Sequence, residues 1–120
     1  MLNIIRIADA SKIMSKAILN CFGNYYQSTQ YFYDGDYCES YEIVDDMSRG
    51  SLKYSVNDNA VEFRLDGYVI MTWTTSSISE IDEQRIAKHM QGYHVTDIYI
   101  DFFHEVKRLI DLFVKGEKLK

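Results

Sequence analysis

Two Asp-Gly dipeptides constrain the fold of this chain more than any other feature of its sequence. Asp34-Gly35 and Asp66-Gly67 each stand between two segments that read as β-strands. A two-residue turn of this kind needs a positive φ at both positions, which Asp and Gly tolerate better than other residues. Each dipeptide therefore predicts a tight β-hairpin.

Two further reversals complete the pattern between Ser28 and Thr75. Residues 57–59 (Asn-Asp-Asn) form a third turn, and residues 45–50 form a longer polar loop. The segments between these turns predict five consecutive antiparallel strands, most simply a meander. The tight second hairpin also predicts a register, with Phe63 opposite Ile70 on a buried face.

Helical periodicity flanks the strands on both sides. Apolar residues recur at helical spacing from Ala10 to Phe22, Cys21 among them, with Asp9 as the expected N-cap and Gly23 as the expected C′ residue. After the strands, a short helix is expected to start near Ser77 or Ser79 and to stop at Gly92. A longer one follows from a Thr96 cap to Phe113.

This order of elements predicts an α+β fold in which an N-terminal helix and two C-terminal helices pack on the sheet. A length of 120 residues suits one hydrophobic core, so residues 1–120 are expected to form a single domain. The last five residues, 116–120, are expected to be a frayed basic tail.

Composition excludes several classes of function. The formal net charge is −5, the wrong sign for a protein that grips nucleic-acid phosphates over a broad surface. Apolar stretches are far shorter than the roughly 20 residues of a membrane span, and no signal peptide is evident, so a cytoplasmic protein is expected. The six glycines are isolated, so no phosphate-binding loop and no cofactor are expected.

Catalytic and metal-binding signatures are weak. The three histidines lack the i, i+4 spacing of helical zinc pairs, so neither a metal site nor a set of catalytic residues is predicted. Asp101 and His104 share a polar stripe of the last helix, which solvated intrahelical pairs explain equally well. If the chain has a small-molecule pocket between helix and curved sheet, His94, Asp101 and His104 are its candidate residues.

The most distinctive stretch, residues 31–46, is called the acidic-aromatic segment below. It holds six acids and no Lys or Arg, with aromatic side chains between them. Tyrosine-rich surfaces are typical of protein interfaces, and acidic groups would steer a basic partner. The candidate binding residues are Tyr31, Tyr33, Asp34, Asp36, Tyr37, Glu39, Tyr41, Glu42, Asp45 and Asp46. The alternative is that half the tyrosines are core and the acids merely occupy turns.

A second candidate interface comprises Val69, Met71 and Trp73, which the predicted register places on the face opposite Phe63. If helices cover one face of the sheet, this row would be exposed and would suit a partner or a homodimer. If helices cover both faces, these residues belong to the core.

These observations favour a small acidic protein that is not an enzyme and that acts by binding and masking a target protein with a basic surface. Immunity proteins that neutralise toxins and phage-encoded inhibitors of host defence are of this type. The alternative function is a small-molecule-binding or simple enzymatic domain, and neither reading involves direct nucleic-acid or membrane binding.

Overall fold

The computed structural model describes residues 7–23, 25–43, 51–57, 60–91 and 96–120, with the backbone alone for residues 25–27, 42 and 43. The elements in chain order are α1 (Ile7–Phe22), β1 (Tyr25–Tyr33), β2 (Asp36–Ile43), β3 (Leu52–Asn57), β4 (Ala60–Leu65), β5 (Tyr68–Thr74), α2 (Glu83–His89) and α3 (Thr96–Val114). The predicted α+β fold is confirmed.

The strands form one antiparallel sheet in the order β1-β2-β3-β4-β5, which is the predicted meander. Both Asp-Gly turns adopt the predicted conformation, with φ of 52° at Asp34 and Asp66 and φ of 85° and 90° at the glycines that follow. Positive φ at both central residues matches the right-handed twist of the flanking strands. The predicted turn at residues 57–59 and the loop at residues 45–50 fall largely outside the described residues.

The register of the second hairpin differs from the prediction. Beyond the turn, Arg64 pairs with Val69 but Phe63 pairs with Met71, so Ile70 is an extra residue in β5. A β-bulge of this kind turns two consecutive side chains toward the same side of the sheet. Ile70 and Met71 are accordingly both buried.

This bulge overturns the second candidate interface. Met71 and Trp73 are only 1% and 3% exposed, because the shift moves them onto the core side, opposite Phe63 and Val61. Val69 precedes the bulge and stays on the other face, half-buried opposite Arg64. The three residues therefore do not form a continuous row.

Helix α1 begins earlier than predicted, so Asp9 lies in its first turn and is not its N-cap. Its end is as predicted, with Gly23 at a φ of 80° and its N–H donating to the Leu19 carbonyl. The core side of α1 consists of Ala10, Ile13, Met14, Ala17 and Ile18. Cys21, which the periodicity also places there, is exposed, and both cysteines of the chain are free thiols.

The start of α2 was predicted wrongly, because the N-cap is Asp82 and not a serine. The residues before it run along the outer edge of β5 instead. The N–H groups of Ser79 and Asp82 donate to the carbonyls of Thr72 and Ile70, both at 2.9 Å. These bonds satisfy backbone groups that an edge strand leaves open, so residues 77–82 are held against the sheet. The predicted stop at Gly92 lies outside the described residues.

The last residues are not frayed as predicted. Arg108 donates to the Lys120 carbonyl at 2.8 Å, and Leu119 packs against the core. Gly116, at a φ of 75°, turns the chain back at the end of α3. Thr96 is the first residue of α3, where a cap was expected.

The helices cover one face of the sheet. Their apolar stripes meet the side chains of alternate strand residues, with Leu52, Tyr54, Phe63 and Leu65 fully buried between the layers. On the other face, Lys53, Glu62 and Arg64 are half-buried. One side of the sheet therefore builds the core and leaves the other available.

A buried carboxylate joins the layers at the β1–β2 end of the core. Glu39 is 2% exposed, and four side chains donate hydrogen bonds to it. Its Oε1 accepts from the Ser11 hydroxyl at 3.1 Å, from the Tyr54 hydroxyl at 3.1 Å and from the Tyr41 hydroxyl, and its Oε2 accepts from the Gln30 amide at 3.0 Å. One residue thus connects α1, β1, β2 and β3.

The pKa of Glu39 shows that these donors dominate. Burial by itself raises the pKa, but the hydrogen bonds from Tyr41, Gln30, Ser11 and Tyr54 outweigh it and hold the pKa below its usual value. Burial and the carboxylate in turn raise the pKa of both Tyr41 and Tyr54, so their hydroxyls remain donors. No cation of the described residues forms an ion pair with Glu39.

Replacing this carboxylate is expected to reduce stability and its dependence on acid. Because the folded-state pKa is lowered, the contribution of Glu39 is full above the unfolded pKa near ~4.3 and is lost as the pH falls through the folded value. E39Q should lower the free energy of unfolding by about 2–4 kcal/mol at pH 7. Urea unfolding from pH 7 to pH 3 should show a shallower decline for E39Q than for the wild type.

The matched control is E80Q, which removes an exposed carboxylate for which no pKa shift is resolved. E80Q should follow the wild-type curve throughout. If E39Q and E80Q decline in parallel with pH, the carboxylate does not stabilise the fold in the way described.

Candidate functional site

The tip of the β1–β2 hairpin presents two large aromatic side chains to solvent. Phe32 and Tyr33 are 75% and 73% exposed, the highest fractions among the large hydrophobic residues of the described chain. They adjoin Asp34-Gly35, whose left-handed conformation fixes the turn. A tight turn of this kind loses little conformational freedom on binding, so the two rings are presented on a preorganised support.

The two rings point to opposite faces of the hairpin. Phe32 pairs with Tyr37 across the strands, and their rings meet edge to face with centroids 5.7 Å apart. Tyr37 in turn lies 6.2 Å from Tyr54, which donates to Glu39. A row of aromatic contacts therefore runs from the exposed tip to the buried carboxylate and stiffens the hairpin.

Tyr33 belongs to a shallow groove of about 380 Å³ on the uncovered face of the sheet. The groove is lined by Tyr31, Tyr33, Asp36, Cys38, Lys53, Ser55, Arg64 and Gly67. Arg64 is already paired with Glu62 at 2.8 Å, whereas Lys53 has no ion pair within the described chain. The groove is therefore mixed in charge, with aromatic rings at the end nearest the tip.

The acidic-aromatic segment divides when the chain folds. Tyr33 and Asp34 are exposed, and Tyr31, Asp36 and Tyr37 are half-buried beside them.

Glu39 and Tyr41 do not belong to an accessible surface, because both point to the helix-covered face and are buried. Their inclusion among the binding residues was wrong. The side chain of Glu42, and Asp45 and Asp46 altogether, lie outside the described residues.

Phe32 is the site residue that the committed set left out. Its neighbours were chosen because tyrosine is enriched at interfaces, yet Phe32 is the more exposed ring. The signal that points to it is its place two residues before the Asp-Gly turn, beyond the reach of the helices.

The pocket predicted around the histidines is not formed by the residues that the structure describes. His104 lies on α3 with its Nε2 3.7 Å from a Glu83 carboxylate oxygen, and both side chains are about half exposed. Asp101 is exposed one turn earlier, and neither residue lines the grooves described in this chain. His94 lies outside the described residues. No cluster of three or more potential metal ligands occurs in the described chain.

The histidine that does gain a defined partner is His89, at the end of α2. Its Nε2 lies 2.6 Å from Oδ2 of Asp66, while Oδ1 of Asp66 accepts the backbone N–H of Ser51. The ring also packs edge to face on Tyr68, 5.0 Å between centroids. Twenty-three residues separate the pair, so only the docking of α2 beside the second hairpin brings them together.

Comparisons with known proteins leave the assignment to this geometry, because no family model, curated protein sequence or solved structure matches the chain. No helix in the described part of the chain has the length and apolar character to cross a membrane.

The two roles of Asp66, turn residue and hydrogen-bond partner, are separable by substitution. D66N keeps a residue that tolerates positive φ and an oxygen for Ser51, so the unfolding free energy should fall by less than about 1 kcal/mol. D66A places an ordinary Cβ residue in the left-handed region and should cost roughly 1–2 kcal/mol more. Urea denaturation of the two variants measures the difference, and equal losses would contradict a role for Asp66 in the turn conformation.

Proposed function

We propose that the protein binds another protein through the tip of the β1–β2 hairpin and acts by covering part of that partner's surface. The observation that carries the proposal is the exposure of Phe32 and Tyr33, each about three-quarters accessible on a rigid turn. Exposed aromatic rings on a preorganised support are typical of binding hot spots. Stability of the fold gives no reason to hold two such rings in water.

The edge position of the hairpin supports the same function. Within the described residues, β1 pairs with β2 alone, whereas residues 77–82 cover the outer edge of β5. Residues 28–33 include no lysine, proline or other charged residue that would protect an edge strand. A partner strand could therefore add to the sheet at β1 and bring its side chains against the aromatic tip.

The charge of the tip indicates the partner's chemistry. Asp34 and Asp36 flank the rings, and neither carboxylate has a hydrogen bond or ion pair within the described part of the chain. The partner is inferred to offer an apolar pocket with basic groups at its rim. Masking a basic functional surface is how an immunity protein or an inhibitor of a host-defence protein would act.

Serine substitutions at the two rings should abolish binding without unfolding the protein. We expect F32S/Y33S to keep its unfolding free energy within ~0.5 kcal/mol, since both side chains are largely exposed. It should lose the partner that the wild type captures from a lysate of the source cells. With the purified partner, calorimetry should give an affinity weaker by about 30-fold or more.

The matched control is L19S/V114S, which replaces two other exposed apolar side chains, on α1 and α3. It should bind the partner like the wild type. Equal capture by F32S/Y33S and the wild type would overturn the proposed role of the hairpin tip.

Removing the acidic charges should act mainly on the rate of association. D34N/D36N keeps the turn, because Asn also tolerates the left-handed conformation. Surface plasmon resonance with the purified partner should show association slowed several-fold at low salt and little change in dissociation. The difference should shrink above about 0.5 M salt, and a salt-independent difference would exclude electrostatic steering.

A further inference from the structure

A second cleft lies at the other hairpin, between the β4–β5 turn and α2. It has a volume of about 510 Å³ and is lined by Tyr68, Asp82, Gln84, Arg85, Lys88 and His89. Small-molecule sites commonly fall in this size range. The cleft involves no residue of the β1–β2 hairpin, so its role is independent of the protein-binding surface.

The carboxylates at this cleft are already occupied. Asp82 accepts from Arg85 twice, through the backbone N–H at 3.0 Å and through Nε at 3.3 Å. Asp66, beside the cleft, contacts Ser51 and His89 through its two oxygens. Local donors therefore use the negative groups of this region.

The cationic donors retain capacity. Arg85 uses Nε for Asp82, and no hydrogen bond of its Nη1 or Nη2 is found within the described residues. Lys88 has no ion pair there, and the contact of His89 with Asp66 engages only Nε2. The lining thus carries two cationic side chains against one carboxylate, on a chain whose net charge is −5.

The aromatic floor holds these donors in place. The Arg85 guanidinium lies over the Tyr68 ring, 5.2 Å from its centroid, and the His89 ring packs edge-on against the same tyrosine. Because Arg85 and His89 are each restrained by a carboxylate and by Tyr68, less side-chain freedom remains to be lost when a ligand binds.

We propose that this cleft binds a small oxyanion, the phosphate or carboxylate group of a metabolite-sized molecule. Arg85 and Lys88 supply the charge and the N–H donors, and the free nitrogen of His89 faces the same ligand. Guanidinium and ammonium groups together match the oxygen pattern of such anions.

Titration of the full-length, ¹⁵N-labelled protein tests the site by NMR. Sodium phosphate and sodium acetate are added in separate series at constant ionic strength, with sodium chloride as reference. We expect saturable shifts that start in the amides of residues 82–91 and Tyr68, with a midpoint on the order of millimolar for a single small anion. Saturation by phosphate alone assigns a phosphate group, saturation by acetate alone assigns a carboxylate, and saturation by both supports a general oxyanion site.

Charge-matched variants separate a built site from general attraction. R85Q/K88Q should weaken binding at least 10-fold, whereas K107Q/K115Q removes the same charge from α3 and should bind like the wild type. Unchanged amide shifts elsewhere in the spectrum establish that R85Q/K88Q is folded. The proposal is overturned if neither anion saturates, if R85Q/K88Q binds normally, or if K107Q/K115Q weakens binding equally.

Discussion

The hydrogen bonds to the Glu39 carboxylate connect more of this structure than any other single interaction among its described residues. Donors from the first helix and from three neighbouring strands converge on one buried charge, and no cation compensates it. Leaving a buried carboxylate short of donors costs several kilocalories per mole, so the four donors have to stay together. This requirement fixes α1 over the β1–β2 end of the sheet and stiffens the base of the hairpin whose tip is proposed to bind a partner.

The distribution of exposed groups follows from two local features of the sheet. The bulge at Ile70 rotates Met71 and Trp73 into the core and removes the surface that an uninterrupted register would have exposed. At the opposite end, the hairpin extends beyond the helices and leaves Phe32 and Tyr33 in solvent. The chain therefore has its apolar accessible groups at one tip, and a small cationic cleft at the other hairpin.

Much of the candidate site was predictable because turn chemistry is local. Asp34-Gly35 places Tyr33 and Asp34 at a hairpin tip whatever the rest of the chain does, and both are exposed as expected. Glu39 and Tyr41 were misassigned because a strand with acids and tyrosines at alternate positions looks equally suited to water and to a polar core. The Asp66–His89 contact had no signal in the sequence, because it depends on where α2 packs.

By itself, the sequence determined the helices, the five-stranded meander and the two Asp-Gly turns, since periodicity and positive φ are properties of short segments. The tertiary structure alone decided which acidic residues are buried, on which face Trp73 lies and which histidine gains a carboxylate partner. Each of these depends on register and on packing between segments distant in sequence. A shift of one residue in β5 exchanges its faces, and a carboxylate such as Glu39 becomes a core group only where four distant donors surround it.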